Sequence, residues 1–231
     1  MAFGWRASGS TNAELVDNLN RQGLFKSERI KEAMLAVDRG DFAPANPYMD
    51  APISIGYSAT ISAPHMHATA LHYLEDVIKN DSRILDVGSS SGYLVACFAK
   101  MIGPKGKVVG IEHIPQLVQL SINNLKKNHA TLLENGVVKI IEGDGRLGYE
   151  QDAPYDAIHV GAAAPEIPSK LLDQLAVGGR MVIPVGRDNQ EFLQIDKISE
   201  DKLVKKRLMG VIYVPLTSKE EQIGHRRIQY V

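Results

Sequence analysis

The chain has 231 residues, 44% of them hydrophobic and 23% charged, the proportions of an ordinary globular domain and not of a disordered chain. Lys plus Arg is 26 against 27 Asp plus Glu, a net charge of -1, so there is no net basic field for a nucleic-acid partner. A lone cysteine, Cys97, excludes an intrachain disulfide and points to a reducing, cytoplasmic setting. No apolar run reaches the roughly 18 residues of a membrane helix, so no membrane partner is expected, and Met1–Ser10 has no signal-peptide pattern.

In chain order, Thr11-Asn12-Ala13-Glu14 has capping-box spacing, with Leu15, Val16 and Leu19 as an apolar stripe and Gly23 as a stop. A second helix fits Ser27 to Val37. Asp41 to Thr60, with Pro44, Pro47, Pro52 and Gly56, reads as a long irregular segment of the kind that carries function. A helical pattern resumes at Ser62, with Pro64 in its first turn, and runs to Val77. Strands and helices then alternate: strand Arg83–Val87, helix Tyr93–Ile102, strand Lys107–Ile111, helix Pro115–Lys127, strands Val137–Ile141 and Ala157–Val160, a helix at Leu171–Leu175, and strand Arg180–Val185. Runs at Phe192–Ile195, Leu203–Val204 and Val211–Val214 suggest an antiparallel edge. The expected fold is α/β: a Rossmann-like, doubly wound, mostly parallel sheet with helices on both faces. It forms one domain over 1–231, with a helical and loop extension over 1–80 and the cofactor sheet and C-terminal strands over 81–231.

The most informative stretch is Ile84-Leu85-Asp86-Val87-Gly88-Ser89-Ser90-Ser91-Gly92, a strand that ends in a glycine/serine turn before a helix. The next strand ends at Glu112-His113, where a carboxylate can take both hydroxyls of a ribose. Gly143-Asp144-Gly145 ends the third strand and could hold an adenine edge. This order favours a nucleoside cofactor. A nicotinamide cofactor would call for G-x-G-x-x-G, which this turn lacks. The turn also fits G-x-S-x-G, the elbow of serine hydrolases, with Asp144 or Asp156 and His159 or His225 completing the chain order. Almost no strand pattern precedes it, however, and no Gly-rich oxyanion motif lies upstream.

Asn46-Pro47-Tyr48-Met49-Asp50, Ile55-Gly56 and Ala59-Thr60-Ile61-Ser62-Ala63-Pro64-His65-Met66-His67 resemble the N-terminal half of protein-L-isoaspartate O-methyltransferases. So do Asp86–Gly92, Gly143–Arg146, Pro154–Ala162 and Val211–Thr217, and the resemblance runs from about Trp5 to Gln222. The Ser-Ala-Pro-His-Met block is specific to that family, whereas the glycine turn alone would mark only an S-adenosylmethionine-dependent methyltransferase. The resemblance implies methyl transfer from S-adenosyl-L-methionine to the free α-carboxylate of L-isoaspartyl residues in damaged peptides and proteins, yielding S-adenosyl-L-homocysteine. The ester closes to a succinimide that opens partly to normal aspartyl; D-aspartyl acceptors stay open. A monomer is expected.

By the same resemblance, Ser62 is the active-site residue. The cofactor side comprises Ala59, Thr60, Ile61, Ser62, His67, Asp86, Gly88, Ser89, Glu112, His113, Asp144, Gly145, Thr217 and Gln222. Substrate is met by Ile61, His159, Val160, Gly161 and Val214, largely through main-chain groups. The competing reading of Ser62 is the N-cap of the next helix, and both roles can hold. His65 and His67 have poor spacing for a shared metal, and no metal is expected. Cys97, among Val95, Ala96 and Phe98, reads as core filling. Two departures stand out. Ser90 replaces the usual middle glycine of the turn, which predicts weaker cofactor binding than in Ser90→Gly and leaves open a cofactor-binding relative with weak turnover or another acceptor. The ending Gly224–Val231, with His225, Arg226 and Arg227, lacks the family's common tryptophan and reads as a solvated basic tail.

Overall fold

A computed structural model describes residues 7–224. Trp5, His225 as a candidate triad member, and the basic tail with Arg226 and Arg227 lie outside the described residues. Helix α1 (Asn12–Arg21) starts where Thr11 Oγ1 accepts from Glu14 N at 3.2 Å and Glu14 accepts from Ser10 N at 2.8 Å. Its Leu15, Val16 and Leu19 are buried, as are Ile30, Ala33 and Met34 of α2 (Glu28–Ala36). A 3-10 turn, Arg39–Asp41, follows.

The stretch expected to be irregular holds a hairpin, β1 (Ile53–Gly56) antiparallel to β2 (Ala59–Ile61). Its tip residues Tyr57 and Ser58 have φ of 54° and 56°. A two-residue type I′ hairpin turn needs positive φ at both central residues, but its usual Asn-Gly signal is missing, so the pattern did not announce it. Helix α3 (Pro64–Leu74) comes next.

The main sheet contains β3 (Arg83–Val87), β4 (Lys107–Glu112), β5 (Val138–Glu142), β6 (Tyr155–Val160), β7 (Leu175–Val185), β8 (Gln190–Ser199) and β9 (Lys202–Val211), in the order β5-β4-β3-β6-β7-β8-β9. Pairing is parallel from β5 to β7 and antiparallel at β7–β8 and β8–β9, the mostly parallel fold with an antiparallel edge that the pattern predicted. The intervening helices are α4 (Tyr93–Met101), α5 (Pro115–Asn128), α6 (Ala130–Glu134) and α7 (Ser169–Asp173), with α8 (Lys219–Gly224) near the end. Two bounds differ from expectation. Leu175 opens β7, and the left-handed Gly178 (φ 82°) lies where the register against β6 shifts. The three C-terminal runs form only two strands: Val211 ends β9, and residues 212–214 leave the sheet.

Side chains alternate across each strand, so each face has its own core. Ile84, Val108, Ala157 and Val182 pack with α1, α2 and α4, whereas Leu85, Val109, Ile158 and Met181 pack with Leu171 of α7. Asp86 shares a face with Ile84, and His159 shares one with Ala157, so both point toward the N-terminal helices. The chain builds outward from β3 in one direction (β4, β5) and then the other (β6, β7), creating a switch point beyond the C-terminal ends of β3 and β6, where ligands bind in open parallel sheets.

Candidate active site

A cleft of about 750 Å³, including its open mouth, lies at this switch point. Its floor is the glycine turn. Gly88 N and Ser89 N donate to Ile111 O at 2.9 and 3.1 Å, tying the turn to β4. Gly88, Ser90 and Gly92 have φ of 78°, 48° and 85°. Ser90 thus occupies a left-handed conformation that favours glycine. Its Oγ accepts from Ser91 N at 2.6 Å and donates to Thr60 O at 3.4 Å. Across the gap, Gly161 N donates to Val87 O at 2.8 Å, and a Cβ on Gly161 would stand 3.3 Å from Gly88 O. The buried Ser89 Oγ has no hydrogen-bond partner among the described residues.

Glu112, at the end of β4, is buried beside the turn and accepts from His113 N at 2.8 Å and Ile114 N at 3.0 Å. Burial pushes its pKa above the ordinary carboxylate value, partly opposed by the Ile114, His113 and Ser90 N–H groups and the nearby His113 ring. The His113 ring meets Gln222 Oε1 at 2.7 Å, and Gln222 Nε2 donates to Tyr57 O at 2.8 Å. One side chain of α8 therefore joins the end of β4 to the tip of the hairpin. The segment after β9 is strapped down by backbone pairing: Ala163 N donates to Val214 O and Leu216 N to Ala163 O, both at 2.8 Å. This places Val214 and Thr217 on the cleft wall.

Ser62, His67 and His159 line the same cleft. Ser62 does not cap α3. Ala63 is the N-cap, and Asp50, from the loop before β1, accepts from His65 N at 2.9 Å and meets the His65 ring at 2.7 Å. The Ser62 hydroxyl has no partner among the described residues, while its carbonyl accepts from Arg39 at 2.8 Å. Burial, with Arg39 beside the ring, lowers the His67 pKa well below the ordinary value. Asp86 and His159 are register partners on β3 and β6, and their side chains meet at 2.6 Å.

Of the residues expected at the site, Ala59, Thr60, Ser62, His67, Asp86, Gly88, Ser89, Glu112, His113, Gly145, His159, Gly161, Val214, Thr217 and Gln222 line this one cleft. Ile61 and Val160 are buried in the two cores, which leaves only their main-chain groups for a ligand. Asp144 lies in a neighbouring hollow with His113 and Lys219, and the Arg146 guanidinium holds its carboxyl below the usual range. A Cβ on Gly145 would stand 2.5 Å from Val87 Cγ1, so glycine is required there for packing. Ser90, Ser91, Leu94, Ile111, Ala162, Pro215 and Leu216 also line the cleft without having been singled out as ligand contacts. Arg39, directly behind it, carried no sequence signal beyond its charge.

The serine-hydrolase arrangement does not assemble. Ser90 Oγ bonds Thr60 and Ser91, His159 bonds Asp86, and Asp156 accepts from Arg83 N at 2.8 Å. No cluster of three or more metal-ligating side chains occurs among the described residues. Cys97 is fully buried on α4, and burial pushes its thiol up to about 12, so it fills the core. No helix among the described residues is long and apolar enough to cross a membrane.

The family model described as Protein-L-isoaspartate(D-aspartate) O-methyltransferase (PCMT) matches residues 10–221. The chain is 60% identical to a Caenorhabditis elegans protein-L-isoaspartate O-methyltransferase over 220 residues, covering 94% of this chain and 97% of that one. It is 50% identical to protein-L-isoaspartate O-methyltransferase 1 of Arabidopsis thaliana over 223 residues, covering 95% and 97% of the two. A Plasmodium falciparum crystal structure described as a protein-L-isoaspartate O-methyltransferase in complex with S-adenosyl-L-homocysteine superposes with a TM-score of 0.85 at 38% identity, covering 90% of this chain and 99% of that one. With the match spanning both the cofactor turn and the Ser62 wall, this chain belongs to the protein-L-isoaspartate (D-aspartate) O-methyltransferase family.

Proposed function

We propose that the protein repairs age-damaged polypeptides by methylating the free α-carboxylate of L-isoaspartyl residues. The observation that supports this most is that the nucleoside-type half, Gly88 to Glu112, and the acceptor half, Ser62 and His159, open into one cleft. The residues present fit the cofactor. The unpartnered Ser89 hydroxyl, the buried Glu112 carboxylate and the glycines at 88 and 161 form a polar, close-approach cradle. S-adenosyl-L-methionine supplies, when bound, a methyl group on a positively charged sulfonium.

Glu112 accepts from the ribose hydroxyls, Ser89 offers a hydroxyl at the turn, and Thr217, in the segment after β9, and Gln222 of α8 close the cleft. A substrate α-carboxylate has a pKa of about 4 and is ionised at neutral pH, so no general base is required. Ser62 donates to one carboxylate oxygen and orients the other for in-line attack, while the buried walls exclude water. Main-chain groups of Ile61, Val160, Gly161 and Val214 read the peptide backbone, so acceptor sequence matters little. The methyl ester then closes to a succinimide, which opens partly to normal aspartyl. We place the enzyme in the cytosol as a monomer without nucleic-acid or membrane partners, in keeping with its near-zero net charge and single buried cysteine.

Radiolabelled S-adenosyl-L-methionine with an isoaspartyl peptide and its aspartyl twin tests the reading. Label is expected in the isoaspartyl peptide only. Methylation of neither peptide, or of both equally, overturns it.

A further inference from the structure

Arg39 is fully buried, and its Nε has no hydrogen-bond partner among the described residues. Its Nη1 lies 3.2 Å from His67 Nδ1, its Nη2 donates to Ser62 O at 2.8 Å, and its guanidinium lies over the Tyr93 ring at 5.5 Å. Its backbone N–H donates to Asn12 Oδ1 at 3.3 Å, and Asn12 in turn donates to Met34 O at 2.9 Å, so α1 and α2 fix its place. No carboxylate pairs with it among the described residues, although Asp50 is near enough to be felt. Burial lowers its pKa only to about 10, so the guanidinium remains charged at neutral pH.

Arginine has no acceptor, so His67 Nδ1 must accept and the ring proton must sit on Nε2. Nε2 has no protein partner among the described residues, and His67 lines the cleft. The same cation disfavours a second proton on the ring, which agrees with the lowered His67 pKa. One buried side chain thus sets the tautomer of one cleft residue and the main chain of another.

We propose that Arg39 is a positioning residue for methyl transfer: it fixes His67 as the neutral Nε2–H tautomer and clamps the Ser62 carbonyl, so that Ser62 Oγ–H and His67 Nε2–H face an anionic acceptor together. This rests on the reaction proposed above. It also makes the N-terminal helices, which hold Arg39, part of the catalytic machinery.

The groups around His67 bear on any pH effect. Arg39 faces it from the 3-10 turn, Tyr93 from α4 with its hydrogen-bonded Cys97, His159 from β6 with Asp86 of β3 behind it, and His65 from α3 with Asp50. Removing Arg39 takes away a repelling cation, so the ring becomes easier to protonate.

The test is long-range 1H–15N spectroscopy of histidine-labelled wild type, Arg39→Met and Arg39→Lys, beside pH profiles of kcat/KM on the isoaspartyl peptide. Wild type is expected to show His67 as the Nε2–H tautomer from pH 5 to 8. Arg39→Met should lose that tautomer preference, lose about tenfold or more in kcat, and move the acid limb of kcat/KM to higher pH. Arg39→Lys keeps the charge but not the fork, so it should restore the acid limb and only part of kcat. A wild-type His67 with its proton on Nδ1 overturns the proposal. So does an Arg39→Met variant that loses activity uniformly with an unmoved acid limb and tautomer; where that variant does not fold, an Arg39→Lys variant with full wild-type kcat and an unmoved tautomer overturns it instead. The spectra need no turnover, so a failure of the proposed reaction, seen as an inactive wild type, is read separately.

Discussion

Glu112→Gln separates what the end of β4 does for the fold from what it does for the ligand. The carboxylate is buried and held by backbone N–H groups of His113, Ile114 and Ser90, yet burial still raises its pKa. A group whose folded pKa lies above its unfolded value stabilises the fold most when protonated; that stabilisation is lost as pH rises through the folded value. At neutral pH the ionised Glu112 is therefore a burden on the ligand-free fold. Glutamine keeps the shape and one acceptor oxygen without the buried charge, so its melting temperature at pH 7 should be no lower than that of wild type. The ligand should lose instead. Hydrogen bonds from hydroxyls to a buried carboxylate are worth about 1.5–3 kcal/mol, so S-adenosyl-L-homocysteine should bind about 10- to 150-fold more weakly. Calorimetric titrations between pH 5 and 8 give a second readout, because wild-type affinity should fall toward acid as Glu112 protonates while the variant stays flat. A variant Kd within about threefold of wild type, or parallel pH curves for the two proteins, would refute the assignment of Glu112 to the ribose.

Ser62→Ala should lower kcat about tenfold while leaving the Kd for S-adenosyl-L-homocysteine within about threefold; Arg39 holds the main chain there whatever the side chain. The effect is modest because the acceptor loses charge during transfer, so the donor orients more than it stabilises; single-turnover kinetics beside calorimetry would detect a cofactor effect that contradicts this. Ser90→Gly relieves about 1 kcal/mol of left-handed strain at φ 48°, which should raise the melting temperature by roughly 2–4 °C, and removes the Cβ that opposes close cofactor approach, so S-adenosyl-L-homocysteine should bind more tightly; equal affinities would show that Ser90 is no handicap to binding. Asp50→Ala removes the remote cap of α3 and should cost about 1–2 kcal/mol, a fall in melting temperature of roughly 2–8 °C; an unchanged thermal transition would show that water replaces it.

What was legible in the sequence was what chain neighbours dictate. The glycine turn, Glu112 at the next strand end and the Ser-Ala-Pro-His block are contiguous signals, and they lie together because β3, β4 and β6 adopt the order their alternation implies. The hairpin stayed hidden because Tyr57 and Ser58 adopt positive φ under tertiary constraint, with Gln222 gripping the tip from 165 residues away. Asp144 was read from its strand-end position and the resemblance; its pairing with Arg146, two residues on, is local, but the partial burial that accompanies it is something a sequence does not display. Arg39 is the extreme case. A charged residue between a helix and a Pro-rich stretch reads as solvated, and its burial follows only once α1, α2 and α4 close around it. Its importance comes from the acceptors it meets there, His67 Nδ1 and Ser62 O, both supplied by a block whose sequence signal pointed only at itself. The recognisable motif thus supplies the groups that touch ligand, and the unremarked extension supplies the charge that aims them.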